Sequence, residues 1–275
     1  MATITLLTDF GTTDSFVGIM KGVILQINPQ ATIIDISHNI DPQDVAQAAH
    51  ELSACYRYFP QDTVHVVVVD PGVGSERGVL VMRAPSHTFV APDNGVLSMV
   101  LQDHPTPELV RVTNEKYFLH PVSRTFHGRD IFAPVAAHLS LGLPPAELGE
   151  PMSPGEATIL QTSAPRLLED GSLLGTIVSV DRFGNLITDI NPQIVRRFFP
   201  GIARKTIDFT TGKHEITGVV ETYSAVDNGQ PLVLIGSRGA YEISVNRGSA
   251  ADLLGLGRGD NFTLRPGSPG NAAQD

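Results

Sequence analysis

Cysteine and tryptophan are almost missing from this chain: one Cys and no Trp among 275 residues. A lone Cys excludes an internal disulfide and a cysteine-rich zinc site, and makes a reducing compartment the simplest setting. Aromatic residues amount to only 6%, so the core must rest on Val, Ile, Leu and Ala. Basic residues are outnumbered, 19 Lys and Arg against 29 Asp and Glu, for a formal charge of −10. That balance argues against nucleic acid or an anionic membrane as main partner, because both demand a basic footprint. No stretch approaches the roughly 18 consecutive apolar residues needed to cross a bilayer. The segment from Met1 to Asp9 lacks the basic start and apolar run of a signal peptide. A soluble cytoplasmic protein is the expectation.

What is present is a normal globular composition, 41% hydrophobic and 17% charged, too apolar for a disordered chain. The length fits one large domain or two modest ones. The first part alternates strand and helix patterns. Ile4 to Leu7 is an apolar run that stops at Thr8-Asp9-Phe10-Gly11. Val17 to Ile27 carries apolar residues at helical spacing and ends at Asn28-Pro29. Thr32 to Ile36 reads as a strand and Asp44 to Tyr56 as a helix. Val64 to Val69 is five Val interrupted only by His65, a run apolar on both faces that belongs inside a parallel sheet covered by helices. Further strands are expected at Gly78 to Arg83 and Thr88 to Ala91, and a helix at Asp130 to Leu141.

The fold class expected is therefore an α/β N-terminal domain with a mainly parallel sheet over residues 1–150. A linker rich in Pro, Gly and Ser follows at 151–165. A smaller all-β, barrel-like domain is expected over 166–265, built of short strand candidates separated by turn signals, then a disordered tail over 266–275. On such α/β sheets ligands sit at the carboxyl ends of the strands. Asp9 and Asp70 both stand where a strand gives way to a loop.

Each polar motif has a plain structural alternative. In Thr8-Asp9-Phe10-Gly11-Thr12-Thr13-Asp14, Asp9 can accept bonds from vicinal ribose hydroxyls and Asp14 can neutralise an ammonium group. Alternatively, Thr12 or Asp14 simply caps the next helix. No three-glycine or Gly-Lys-Ser/Thr phosphate fingerprint is present. After the valine run, Asp70 of Asp70-Pro71-Gly72-Val73-Gly74 needs a cation or backbone donors. Arg77 is the nearest basic residue along the chain, and a turn bonded to loop amides is the alternative. His127 lies in Thr125-Phe126-His127-Gly128-Arg129-Asp130, ahead of a helix that Asp130 would cap. The other eight histidines show no metal-ligand spacing, so no metal is expected. In the second part, Phe183 can stack on a base and Asn185 offers the donor and acceptor a purine edge requires. Arg238, helped by Ser237, can grip a carboxylate. Tight hairpin turns are the alternative for both segments.

Seven segments occur together in order: the Asp9 loop, Asp35-Ile36-Ser37-His38, Asp70-Pro71-Gly72-Val73-Gly74, Pro92-Asp93-Asn94-Gly95, Thr125 to Asp130, Phe183-Gly184-Asn185 and Ser237-Arg238-Gly239. In this the chain resembles the adenosine-forming S-adenosyl-L-methionine hydrolases, or hydroxide adenosyltransferases, relatives of the fluorinase and chlorinase. The resemblance runs from about Ile4 to about Leu264. It implies a homotrimer with sites between subunits, and hydrolysis of S-adenosyl-L-methionine to adenosine and L-methionine with neither metal nor cofactor. It places the activating Asp, Arg and His on Asp70, Arg77 and His127, and the ribose-binding Asp on Asp9. The methionine end falls to Asp14, Asp181, Ser237 and Arg238. The adenine falls to Phe183, Asn185 and the backbone around Val245 to Arg247, with Glu242 counted in the same substrate-binding group. The spacing from Asp181 to Asn185 is one residue shorter than in the fluorinase.

That reaction suits these residue types. A neutral thioether leaves a sulfonium, so no acid is needed, and what is wanted is an aligned water and a base. Asp70 and His127 are expected to hold and polarise that water while Arg77 fixes Asp70 in its ionised form, either Asp70 or His127 being the final proton acceptor. A halide-dependent 5′-halo-5′-deoxyadenosine synthase and a non-catalytic adenosine or S-adenosylmethionine binding protein are the alternatives.

Overall fold

In the computed structural model the chain divides into two units, residues 1–161 and 162–275. The structure describes residues 2–161 and 164–267. The first unit contains β1 (Thr3–Thr8), α1 (Phe16–Ile27), β2 (Thr32–Ser37), α2 (Val45–Cys55), β3 (Thr63–Val68), β4 (Val79–Arg83), β5 (His87–Pro92), α3 (Ser98–Asp103), β6 (Glu108–Val112), α4 (Ala133–Ser140) and β7 (Gly149–Pro151). The valine run explains its centre. Every residue of β3 is buried, and because side chains alternate across a sheet, Val64, Val66 and Val68 pack with Met20, Ile24 and Val135 of α1 and α4. Val67 and Val69 pack with Ala48, Leu52 and Val100 of α2 and α3 on the other face.

The sheet order is β2-β1-β3-β5-β4-β6-β7. It is mixed, which corrects the mainly parallel sheet expected. The pairs β1–β2, β1–β3 and β3–β5 are parallel, whereas β4–β5, β4–β6 and β6–β7 are antiparallel. The reason is local. Only Ala84, Pro85 and Ser86 separate β4 from β5, and parallel strands need a crossover of a dozen residues or more. The short α3 and β6 carry too few residues to show a period. The first part of the stretch expected as a linker packs on this unit: Met152 and Ala157 are buried in its core, and Thr158 N–H donates to Asp93 at 2.8 Å.

The second unit contains β8 (Arg166–Leu167), β9 (Leu173–Val180), β10 (Leu186–Thr188), α5 (Pro192–Phe198), β11 (Ile207–Thr211), β12 (His214–Thr217), β13 (Pro231–Ile235), β14 (Tyr241–Val245), α6 (Ala250–Leu254) and β15 (Asn261–Pro266). Its sheet runs β12-β11-β15-β9-β10-β14-β13, with β8 on β9, and these strand pairs are antiparallel. Val220, just past β12, bridges to Leu234 of β13, so the two edges nearly meet and the sheet curls into a barrel-like shape. Phe209, Tyr241 and Phe262 fill its interior. Pro266 ends β15. Positions 268–275 of the expected tail lie outside the described residues.

Candidate active site

In the first unit the register pairs Thr8 of β1 with Val68 of β3. Asp9 and Asp70 therefore leave neighbouring parallel strands close together, at the carboxyl edge. Asp70 is almost wholly buried, its side chain 4% exposed and that of Arg77 10%. Arg77 Nε donates to Asp70 Oδ1 at 3.0 Å and Oδ2 at 2.9 Å. Arg77 Nη2 donates to Oδ2 as well, and Gly72 N–H to Oδ1 at 3.2 Å. The buried carboxylate thus has both the cation and the backbone donor it requires. The Arg77 guanidinium lies 5.5 Å from the centre of the buried Phe132 ring.

Arg77 Nη2 also lies 2.8 Å from His127 Nδ1. Two glycines allow the approach. Gly74 has φ +77°, and a Cβ there would sit 2.4 Å from the Arg124 carbonyl oxygen, so the 70–77 loop packs backbone to backbone on the 123–127 loop. Gly128 lies among Met20, Phe126 and Phe10, with room for no larger residue unless they give. From Gly128 to Phe132 the chain makes one wide π-helical turn before α4, a local irregularity often found at functional sites. Asp130 does not cap this helix as expected. It is fully buried inside the wide turn, where it accepts from Ser123 N–H at 2.8 Å and from Arg129. Burial holds the His127 imidazole below its ordinary pKa and the Arg77 charge adds to this, against the pull of Asp70, Asp130 and the Ser123 backbone.

Asp9 Oδ2 accepts from Gln43 N–H at 2.8 Å. The rings of Phe10, Phe16 and Phe126 touch one another at centroid distances of 5.0–6.0 Å, joining the Asp9 loop to the His127 loop. Asp14 is exposed. It does not cap α1, whose N-cap is Ser15.

In the second unit a cavity of about 740 Å³ is lined by all eight residues expected there: Asp181, Phe183, Asn185, Ser237, Arg238, Glu242, Val245 and Arg247. Several of them also bond to one another. Asp181 Oδ1 accepts from Phe183 N–H at 2.8 Å and Asn185 N–H at 2.9 Å, and Oδ2 from Asn185 Nδ2 at 2.8 Å. Asp181 therefore shapes the turn, and one of the two Asn185 amide hydrogens points to it. Gly184, at φ +81°, comes so close to Ser249 that a Cβ would lie 2.1 Å from its Oγ. The turn leaves Phe183 75% exposed.

Ile187, Tyr223 and Gly248 line the same cavity and escaped the sequence reading. Tyr223 Oη donates to Glu242 at 2.7 Å, as Ser244 Oγ does at 2.9 Å. Burial, the Glu242 bond and the charges of Glu242 and Asp181 push the Tyr223 phenol up to about 12, so it remains a donor. No sequence signal marked it, because Tyr223 lies in a short helical turn between β12 and β13 with no motif around it. Two carboxylates and two guanidinium groups in one cavity suit a zwitterion. Among the described residues no three His, Cys, Asp or Glu converge as metal ligands would, and no helix is long and apolar enough to cross a membrane.

Residues 4–149 match the family profile described as the SAM hydroxide adenosyltransferase N-terminal domain, and residues 175–263 match the C-terminal domain of the same family. The chain belongs to the SAM hydroxide adenosyltransferase family. It is 37% identical over 266 residues to a protein of Thermus thermophilus named (R)-S-adenosyl-L-methionine hydrolase, covering 94% of this chain and 98% of that one. It is 35% identical to one of the same name from Methanocaldococcus jannaschii, with 92% of each covered. A fluorinase of an Actinoplanes species is 28% identical, over 95% of this chain and 96% of the other. A crystal structure of an uncharacterised conserved protein from Thermotoga maritima superposes with a TM-score of 0.86 at 37% identity, over 96% of this chain and 99% of that one.

Proposed function

We propose that the protein hydrolyses S-adenosyl-L-methionine to adenosine and L-methionine, with a water held at Asp70, Arg77 and His127. The observation that carries this reading is the bonded cluster itself, at the carboxyl edge of the first sheet. Membership of a family named for adenosyl transfer to hydroxide supports it. So do the relatives named as hydrolases of this sulfonium; their name specifies the (R) form, and the proposal includes that epimer.

The water oxygen bonds to the ribose 5′ carbon as the C–S pair departs with sulfur, leaving a neutral thioether. The attacking water becomes a protonated alcohol, which is strongly acidic, so a carboxylate is base enough to take the proton. A guanidinium only donates, so His127 Nδ1 must accept from Arg77. The neutral imidazole then keeps its proton on Nε2 and acts as a donor. This leaves Asp70 as the acceptor of the water proton. Arg77 aligns it, and alignment of this kind contributes more than the ~10²–10⁴-fold of the base alone.

Asp9 meets the ribose hydroxyls and Asp14 the methionine ammonium. Phe183 stacks on adenine, supported by the Asp181–Asn185 turn and by Glu242, Val245 and Arg247, while Ser237 and Arg238 hold the carboxylate. The same proposal includes a cytoplasmic homotrimer whose sites are completed by a neighbouring copy, and no bound cofactor.

The test is to incubate the purified protein with each sulfonium epimer and separate the products. Adenosine and methionine in equal amounts, lost in Asp70→Ala, are the expected result. Intact substrate points to a binding protein, and a 5′-halo product formed only with chloride or fluoride points to a halogenase. Either one overturns the proposal.

A further inference from the structure

Asp9 is flanked by an arrangement that no catalytic role uses. Thr8, the last residue of β1, is fully buried, and so, at 5% exposure, is His38, the first residue after β2. His38 Nδ1 lies 2.9 Å from Thr8 Oγ1, which accepts from Phe10 N–H at 3.2 Å. The His38 carbonyl accepts from Gly11 N–H at 2.7 Å. Thr8 and Gly11 thus bond to His38 directly, by its ring and its backbone carbonyl, and Phe10 is joined to it through the Thr8 hydroxyl.

The far side of that ring faces a carboxylate. His38 Nε2 stands 3.1 Å from Asp35 Oδ1, although off the line of a good hydrogen bond. Lys21 Nζ donates to Asp35 Oδ2 at 2.6 Å. Burial alone would raise the Asp35 pKa, but the Lys21 hydrogen bond and the nearby His38 prevail and hold the carboxyl below its usual range. A carboxylate beside Nε2 places the ring proton there. Nδ1 must then accept, the Thr8 hydroxyl donates to it, and Thr8 Oγ1 is left to accept from Phe10. The two bonds at Thr8 Oγ1 then each have one direction.

We propose that His38 is a positioning residue for Asp9, acting through Thr8 to fix the carboxylate where the ribose hydroxyls are recognised. The assignment rests on the reading of Asp9 as the ribose-binding residue. Hydroxyl recognition by a fixed acceptor discriminates strongly against an analogue lacking the hydroxyl. A loosened acceptor loses that discrimination before it loses the fold.

The experiment compares kcat/KM for S-adenosyl-L-methionine and its 2′-deoxyribose analogue in the wild type, Thr8→Val, His38→Leu, His38→Asn and Asp9→Asn, with melting temperatures measured alongside. The wild type is expected to prefer the ribose substrate by about a hundredfold or more. Thr8→Val and His38→Leu each lower that preference at least about tenfold. His38→Asn, whose amide oxygen stands near the place of Nδ1, keeps most of it. Thr8→Val preserves shape and so reports even if His38→Leu fails to fold. An unchanged preference in Thr8→Val overturns the role of the relay. A preference absent from the wild type, or unchanged in Asp9→Asn, overturns the reading of Asp9 and the proposal with it, while product formation by the wild type tests the hydrolase reading separately.

Discussion

Arg77 Nη2 stands 2.8 Å from His127 Nδ1, and since the guanidinium has only hydrogens to offer, the ring must be neutral for the contact to hold. Burial and the Arg77 charge already depress the pKa of His127. Protonation would turn a donor towards a donor and release Arg77 from its position against Asp70. The specificity constant kcat/KM, which reports the groups of the free enzyme, should therefore be near its plateau down to about pH 6.5, the ordinary histidine value. It should fall only on the acid side of that, with a midpoint below 6.5. A kcat/KM profile with its acid midpoint at or above 6.5 contradicts the assignment.

The local signs at this site were readable because they are chemical. A carboxylate at the end of a valine strand must find a cation, and Arg77 was the nearest along the chain. Contacts between distant segments were not readable in the same way. Nothing in Gly74 or Arg124 alone says that their backbones touch. The helix cap expected of Asp130 failed because a wide turn displaced the helix start and buried the carboxylate. Asn185 has the right atoms for a purine edge, and one of its two amide hydrogens goes to Asp181, which fixes the side chain and leaves the other hydrogen and the oxygen outside that bond. Tyr223 was invisible because its importance lies in the Glu242 it meets from 19 residues away. The mixed sheet follows from a connection length: three residues between β4 and β5 allow only an antiparallel pair.

Phe183 offers a clean separation of binding from folding. The ring is 75% exposed, so truncation removes little packing in the free protein. Base–aromatic stacking is worth about 1–3 kcal/mol. Phe183→Ala should raise KM roughly 5- to 100-fold, leaving kcat within a few-fold and the melting temperature within about 1 °C. Isothermal titration with adenosine and a thermal melt measure both sides. A large loss of thermal stability with unchanged adenosine affinity would assign the ring to packing instead.

Gly74 carries the approach of the two loops. A side chain there meets the Arg124 carbonyl at 2.4 Å and must also adopt φ +77°, a region costly for residues with a Cβ. Gly74→Ala should destabilise the first unit by about 1–3 kcal/mol and lower kcat by tenfold or more, because Arg77 and His127 are forced apart. Gly11, at φ +67° with open space around its Cβ position, provides the control. Gly11→Ala pays for the backbone conformation but meets no wall, so its turnover should fall less. Equal losses in the two variants would remove steric contact as the cause.

His65 is expected to contribute to the acid sensitivity of the fold. It is fully buried in β3, with Nδ1 2.8 Å from Thr5 Oγ1 and Nε2 3.2 Å from His87 Nδ1. Burial, helped by the His87 charge, lowers its pKa to about 3, and His87 is lowered as well. The unfolded chain takes up a proton near the ordinary value of about 6.5 that the folded chain refuses. The contribution is complete above 6.5 and is lost as the pH falls towards 3, with a limiting slope of about 1.4 kcal/mol per pH unit from His65 alone. Asp189 of the second unit, raised to about 6 mainly by burial, runs the other way, since its folded form gains a proton first. Urea unfolding between pH 7.5 and 4.5 should show stability falling on the acid side. His65→Leu should start from a lower stability at pH 7.5, because Thr5 and His87 lose their partner, yet decline less steeply. Parallel slopes in the two proteins would place the acid sensitivity elsewhere.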